Sequence, residues 1–306
     1  MTPAAQIVAP RVARVLIALA SLASITMPVV LASDTTQVLR MGLTTSVIQQ
    51  ASANDAKAAA HLWAQGIADM LGLSGGAEVE VHASADEGRH ALTSNGLQLF
   101  ALATTEFLAV EKQLPCRPAM AYEEAGEVMY QYVLVTRDRG ATLAVAAGKS
   151  LAVYAPNQQA SLSLVWGDTR VREAGIRTGL AAFAQVREHP KKGQAAMAVF
   201  FGKADFGIES RAALTTAIEL NPQMGRELVV IETSPTLLPG IVCLSTLMPQ
   251  ELGRRYVAEA TRLHQQIRYK QAFIVMRVTR IVEFQPAMLE SSRALVARQK
   301  ALASKR

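Results

Sequence analysis

Aromatic residues are scarce in this chain, at 5% of 306 positions. That argues against a sugar site built on stacked rings. Cysteine is rarer still: Cys116 and Cys243 alone are too few for a disulfide-stapled scaffold. In an oxidising compartment the two could pair. Cys243 also reads as a small apolar residue of a buried strand over Leu238 to Leu244, so both alternatives stand. The five histidines, His61, His82, His90, His189 and His264, lack metal-ligand spacing, and neither a P-loop nor a dinucleotide fingerprint is present. Gly72-Leu73-Ser74-Gly75-Gly76 spells the G-x-S-x-G string of hydrolases. A nucleophile elbow, however, follows a strand and opens a helix, and here a helix precedes and a strand follows, so the string reads as a flexible turn. Glu123, Glu124 and Glu127 read as a solvated face rather than an acid–base pair. No catalytic residue, metal or cofactor is expected.

The charge balance is mildly basic, 31 Lys+Arg against 25 Asp+Glu. With no basic run interleaved with aromatics, this excludes a nucleic-acid partner, and it is compatible with a small anionic ligand. One long apolar run exists, Val15 to Ala32, preceded by Arg11 and Arg14 and ending Val30-Leu31-Ala32. A positive start, an apolar middle and small residues at the −3 and −1 positions form a signal peptide, so residues 1–32 are expected to be removed on export to the periplasm. The alternative is an uncleaved anchor, since the run approaches bilayer length, but Ser21, Ser24, Thr26 and Pro28 interrupt it.

Beyond the signal, strands and helices alternate. Val38 to Leu43 reads as a buried strand, Asn54 to Leu71 as a helix capped by Asn54, Glu78 to His82 as a strand, Asp86 to Ser94 as a helix. Leu97 to Leu102 is again a strand, and Thr104 begins a helix. This βαβαβα order is the signature of a parallel sheet with ligands at its carboxyl ends. After the strand Tyr130 to Thr136 and the charged Arg137-Asp138-Arg139 the alternation restarts, with strands at Leu151–Ala155, Ala204–Ile208, Glu227–Ile231 and Leu238–Leu244. Helices are expected over Gln158–Ala174, Gln194–Phe201, Pro249–Gln271 and Ala287–Ala303. The restart predicts two lobes, 33–137 plus 238–306 and 138–237.

Several segments taken together, Leu39 to Ser46, Val199 to Asp205 with its following strand, Thr233-Ser234-Pro235, Pro239 to Val242 and Arg280 to Pro286, resemble the phosphate/phosphite/phosphonate family of ABC-transporter substrate-binding proteins. The resemblance runs from about Val38 to about Leu289. It implies an α/β fold of the two-lobed type 2 periplasmic binding protein kind, each lobe a βα sheet sandwich, joined by a two-strand hinge. It also implies a monomer that grips a small phosphate- or phosphonate-like anion or polar solute and delivers it to an ABC permease in the inner membrane. The alternative is a sensing module of the same fold serving a sensor kinase or chemoreceptor. By position in the strand-to-helix turns, the ligand-binding residues expected are Thr44, Thr45, Ser46, Thr104 and Thr105 in the first lobe and Asn157, Gln158, Gln159 and Ser161 in the second. Helix ends and hydroxyls supply donors for an oxyanion there. The chain departs from the family's usual Ser-Thr-Ser-Gly after Pro156-Asn157, where Gln158, Gln159 and Ala160 replace hydroxyl positions, and it carries Gln98 and Ala103 where Asp and Gly are usual. Amides can serve an anion and also suit a neutral or zwitterionic ligand. Asp205 is expected to be structural, and Trp166 to belong to a core stripe with Leu162 and Val165.

Overall fold

The computed structural model of the protein describes residues 37–48, 53–94 and 96–304; the signal-like segment lies outside them. The chain runs β1 (Leu39–Thr44), α1 (Ala53–Leu71), β2 (Ala77–His82), α2 (Ala85–Ser94), β3 (Leu99–Ala103), α3 (Thr104–Val110), β4 (Cys116–Glu123), β5 (Tyr130–Thr136) and β6 (Ser150–Tyr154). It continues α4 (Leu162–Glu173), β7 (Gln185–His189), α5 (Gln194–Phe200), β8 (Phe206–Ser210), α6 (Arg211–Leu220), α7 (Pro222–Glu227) and β9 (Val229–Leu237). It closes with β10 (Gly240–Ser245), α8 (Gln250–Arg262), α9 (Lys270–Val275), β11 (Arg280–Glu283) and α10 (Ala287–Ala303). Among these residues no helix is long and apolar enough to cross a membrane.

Two sheets form. The first has the order β11-β4-β10-β3-β1-β2 and the second β7-β6-β8-β5-β9. Their central strands are largely apolar because helices cover both faces. In β3, Leu99 packs beneath α1 with Trp63 and Ile67, while Phe100 and Leu102 point to the other layer with Leu92 and Phe107. In β5, Tyr130, Tyr132 and Leu134 face α4, and Val133 and Val135 face Val199 and Leu214. Trp166 is buried in that core. Asp205 is structural: its carboxylate accepts the Ser150 N–H at 2.8 Å and the Ser150 hydroxyl at 2.6 Å, tying the start of β6 to the start of β8. Cys116 and Cys243 are buried free thiols on the neighbouring strands β4 and β10, and burial pushes the Cys243 thiol up.

Two crossovers connect the sheets, residues 124–129 from β4 to β5 and Leu238-Pro239 from β9 to β10. Two segments sit elsewhere than expected. The strand β5, expected in the first lobe, pairs with β8 and β9 in the second sheet, because both its faces find apolar partners there. Helix α10, also expected in the first lobe, serves both sides. Its Leu289 joins the first sheet's core, Leu295 and Val296 join the second's, and the Ser292 hydroxyl accepts the Leu238 N–H at 2.9 Å in the crossover.

Candidate functional site

In the first sheet β1 has β2 on one side and β3 on the other, all parallel. The chain steps outward through α1, then returns across β1 through α2. The carboxyl ends of β1 and β3 therefore flank a topological switch point, where open α/β sheets leave a crevice for ligand. The second sheet repeats the device: β6 lies parallel between β7 and β8, so its switch point lies at the ends of β6 and β8. A hydrogen bond from the Thr105 hydroxyl to the Ala160 carbonyl, 2.7 Å, brings the turn after β3 against the turn after β6.

The first-lobe turn is not empty of charge. The Thr44 hydroxyl, at the buried end of β1, donates to Glu106 Oε2 at 2.7 Å, and the Ser46 hydroxyl donates to the same oxygen. The Ala103 N–H reaches it too, at 3.0 Å. Glu106 is the third residue of α3, so its carboxylate folds back onto the start of its own helix, where the dipole and unpaired amides favour negative charge. Thr45 faces the other way, exposed, with its hydroxyl toward the Ala83 carbonyl at 3.3 Å. Thr104 is fully buried. Its N–H bonds the Pro239 carbonyl at 3.1 Å, and its hydroxyl has no hydrogen-bond partner in the protein.

In the second lobe, Gln158 and Gln159 are exposed, and Gln158 holds φ at 50° in the short turn that precedes α4. Ser161 is buried and its hydroxyl accepts the Asn157 N–H at 2.9 Å rather than capping α4. Asn157 is 2% exposed, and neither its Oδ1 nor its Nδ2 finds a partner in the protein. Buried amides are almost always satisfied, so this pair of atoms marks a place where something else supplies the bonds. At the end of β8, the buried Glu209 carboxylate accepts the Ser210 N–H at 2.9 Å and the Ala196 N–H at 3.5 Å. Burial pushes its carboxyl up to about 7. Burial raises Tyr154 and Tyr132 as well, and the negative charges of Glu124 and Glu209 raise them further.

The Glu123-Glu124…Glu127 group is not the solvated face expected. Glu123 and Glu124 are buried. Arg280 bonds Glu123 at 2.7 Å, fastening β11 to β4. Glu124 accepts from the Tyr130 hydroxyl and sits 3.3 Å from Lys192 Nζ, which also lies 4.8 Å from the centre of the Tyr130 ring. The backbones of Glu124 and Glu127 bond each other across the crossover, and burial raises the Glu127 carboxyl. Acidic residues fit this setting because Arg280, Tyr130 and Lys192, brought in from other elements, supply partners that a linear reading does not reveal.

Of the nine residues expected, Thr44, Thr104, Asn157 and Ser161 are buried at the switch points, Ser46 and Thr105 are half-buried there, and Thr45, Gln158 and Gln159 face solvent. Glu106 and Glu209 were not anticipated. For Glu106 a signal existed, an acidic residue three places after a strand-ending Ala103. Glu209 had none.

Two mixed sheets, each with a switch point among its parallel strands and the two turns in contact, define a solute-binding protein of the two-lobed periplasmic kind. The profile of the family described as ABC transporter, phosphonate, periplasmic substrate-binding protein matches residues 45–289, and the chain belongs to that family. A search of curated proteins finds no match. Among solved structures, XAC2383 from Xanthomonas citri bound to ATP shares the fold at a TM-score of 0.60 and 14% identity, covering 87% of this chain and 98% of that one. PhnD1 from Prochlorococcus marinus in complex with methylphosphonate matches at a TM-score of 0.58 and 10% identity, covering 87% and 99%. A binding-protein component of an ABC phosphonate transporter from Pseudomonas aeruginosa matches at a TM-score of 0.57 and 12% identity, covering 87% and 88%.

Proposed function

We propose that this protein captures a small polar solute between its two switch points and hands it, as a monomer without chemical change, to an ABC permease in the inner membrane. The observation that carries the reading is Asn157, a side chain buried beside the second switch point with both amide atoms unpartnered. Thr104, with its unpartnered hydroxyl, supports it from the opposing turn. Ser161 orients Asn157 through its backbone, and Thr105 holds the two turns together. In this reading the chain divides at its two crossovers, β1–β4 with β10 and β11 forming one lobe, β5–β9 the other, and α10 bridging them. Residues 1–32 are the export signal that places the protein in the periplasm.

The test is small-angle scattering with and without each of a panel of solutes, methylphosphonate, inorganic phosphate, sulfate, ethanolamine, L-alanine and L-arginine. A saturable decrease in radius of gyration with one of them, lost in Asn157→Leu, supports the reading. Compaction that survives Asn157→Leu places the ligand elsewhere.

A further inference from the structure

We propose that Glu106 decides which ligands the cleft accepts: it fills the first lobe's anion-receiving position with the protein's own carboxylate, so the solute meets that wall with a positively charged or hydrogen-bond-donating group. The inference rests on the solute-binding reading above and names its ligand class, a small cation or zwitterion bearing an amine.

At the first switch point the Thr44 and Ser46 hydroxyls, themselves 2.8 Å apart, and the Ala103 N–H close on one oxygen, Oε2 of Glu106, so the two hydroxyl protons are shared between that oxygen and the hydroxyl pair. A bound oxyanion would need these same donors, and each hydroxyl has a single proton to give. Glu106 Oε1 takes no hydrogen bond among the described residues, and no lysine, arginine or histidine there forms an ion pair with the carboxylate. One lone-pair-rich oxygen is thus held in place, half-buried and with its charge uncompensated by a cation.

Glu209, fully buried at the end of β8, already takes the Ser210 N–H ahead of α6 and the Ala196 N–H in α5. What remains for a ligand's acceptor is the neutral pair of unsatisfied groups already described, the Thr104 hydroxyl and the Asn157 amide. The cleft therefore offers an acceptor on the first-lobe side and neutral donors beside it. A dianion brought against Glu106 would meet like charge in a poorly screened place, whereas an ammonium would complete the carboxylate's bonding.

Titration calorimetry on the wild type and Glu106→Gln tests this with the same six solutes. Glu106→Gln keeps the side chain's shape and an acceptor for the turn's hydroxyls. The expected result is that ethanolamine, L-alanine or L-arginine binds the wild type and binds Glu106→Gln at least about tenfold more weakly, while methylphosphonate, phosphate or sulfate gains at least about tenfold. The wild-type arm stands without the variant: an order of anions over amines overturns the assignment even if Glu106→Gln fails to fold. Anion binding that Glu106→Gln leaves unchanged overturns the assignment of Glu106 and leaves solute binding intact. Absence of binding by all six to both proteins overturns the inference together with the solute-binding reading.

Discussion

Replacing Asn157 by leucine is the sharpest perturbation the site allows, because ligand binding and folding respond to it in opposite directions. Leucine is close to asparagine in size and shape, and it fills the place without a polar atom. In the ligand-free protein the two unpartnered amide atoms carry a desolvation penalty of about 1–3 kcal/mol. Removing them should therefore leave stability unchanged or raise it. For a protein of this size each kcal/mol corresponds to about 2–4 °C in melting temperature, so the melting point should hold or rise by a few degrees. Binding should move the other way. Two neutral hydrogen bonds to a solute, each worth about 0.5–1.5 kcal/mol net, disappear together, which weakens affinity about 5- to 150-fold. The assay pairs calorimetry, using whichever solute of the panel binds the wild type, with melting curves of the ligand-free proteins. A variant that melts more than about 5 °C lower yet binds as tightly as the wild type would show that Asn157 is a structural amide, and the argument from its unpartnered atoms would fall.

Two further outcomes follow from buried groups. The Glu209 carboxyl rises from 4.5 to about 7 through burial, so the native state holds a proton that the unfolded chain releases. Stability is then greatest with this group protonated and declines as pH rises from about 4.5 through about 7, by on the order of 3 kcal/mol if the whole difference is expressed; Glu209→Gln should flatten that stretch of the profile in urea melts, and parallel profiles for the two proteins would contradict the assignment. Gly88 lies inside α2, where alanine normally improves an exposed helix, but a Cβ there would come within 2.0 Å of Phe100 Cζ. Gly88→Ala should instead cost about 1–3 kcal/mol through overpacking and recover in Gly88→Ala/Phe100→Leu; a melting point at or above wild type in the single variant would refute the close contact.

The sequence by itself determined the alternation of strands and helices, because a strand covered on both faces must be largely apolar. Such runs as Leu39 to Leu43, Tyr130 to Thr136 and Leu151 to Tyr154 stand out between polar turns. It also placed Thr44, Thr104, Asn157 and Ser161 at strand ends, since the residues after a parallel strand are those a switch point uses. Strands whose partners protect them without a continuous apolar run escaped: β7 is an exposed polar edge, and β4 carries Pro118 beside a register shift in its pairing with β10. Only the tertiary structure decided which sheet receives β5, that α10 serves both lobes, and that Glu123 and Glu124 are buried. These depend on partners distant in the chain, Lys192 and Arg280 among them. The same holds for the charge of the site. The Thr44 and Ser46 hydroxyls look like donors awaiting an anion, and their occupant is Glu106, 60 residues beyond Ser46. A turn's residue types give its capacity to donate, whereas the fold decides what already sits within 3 Å of it.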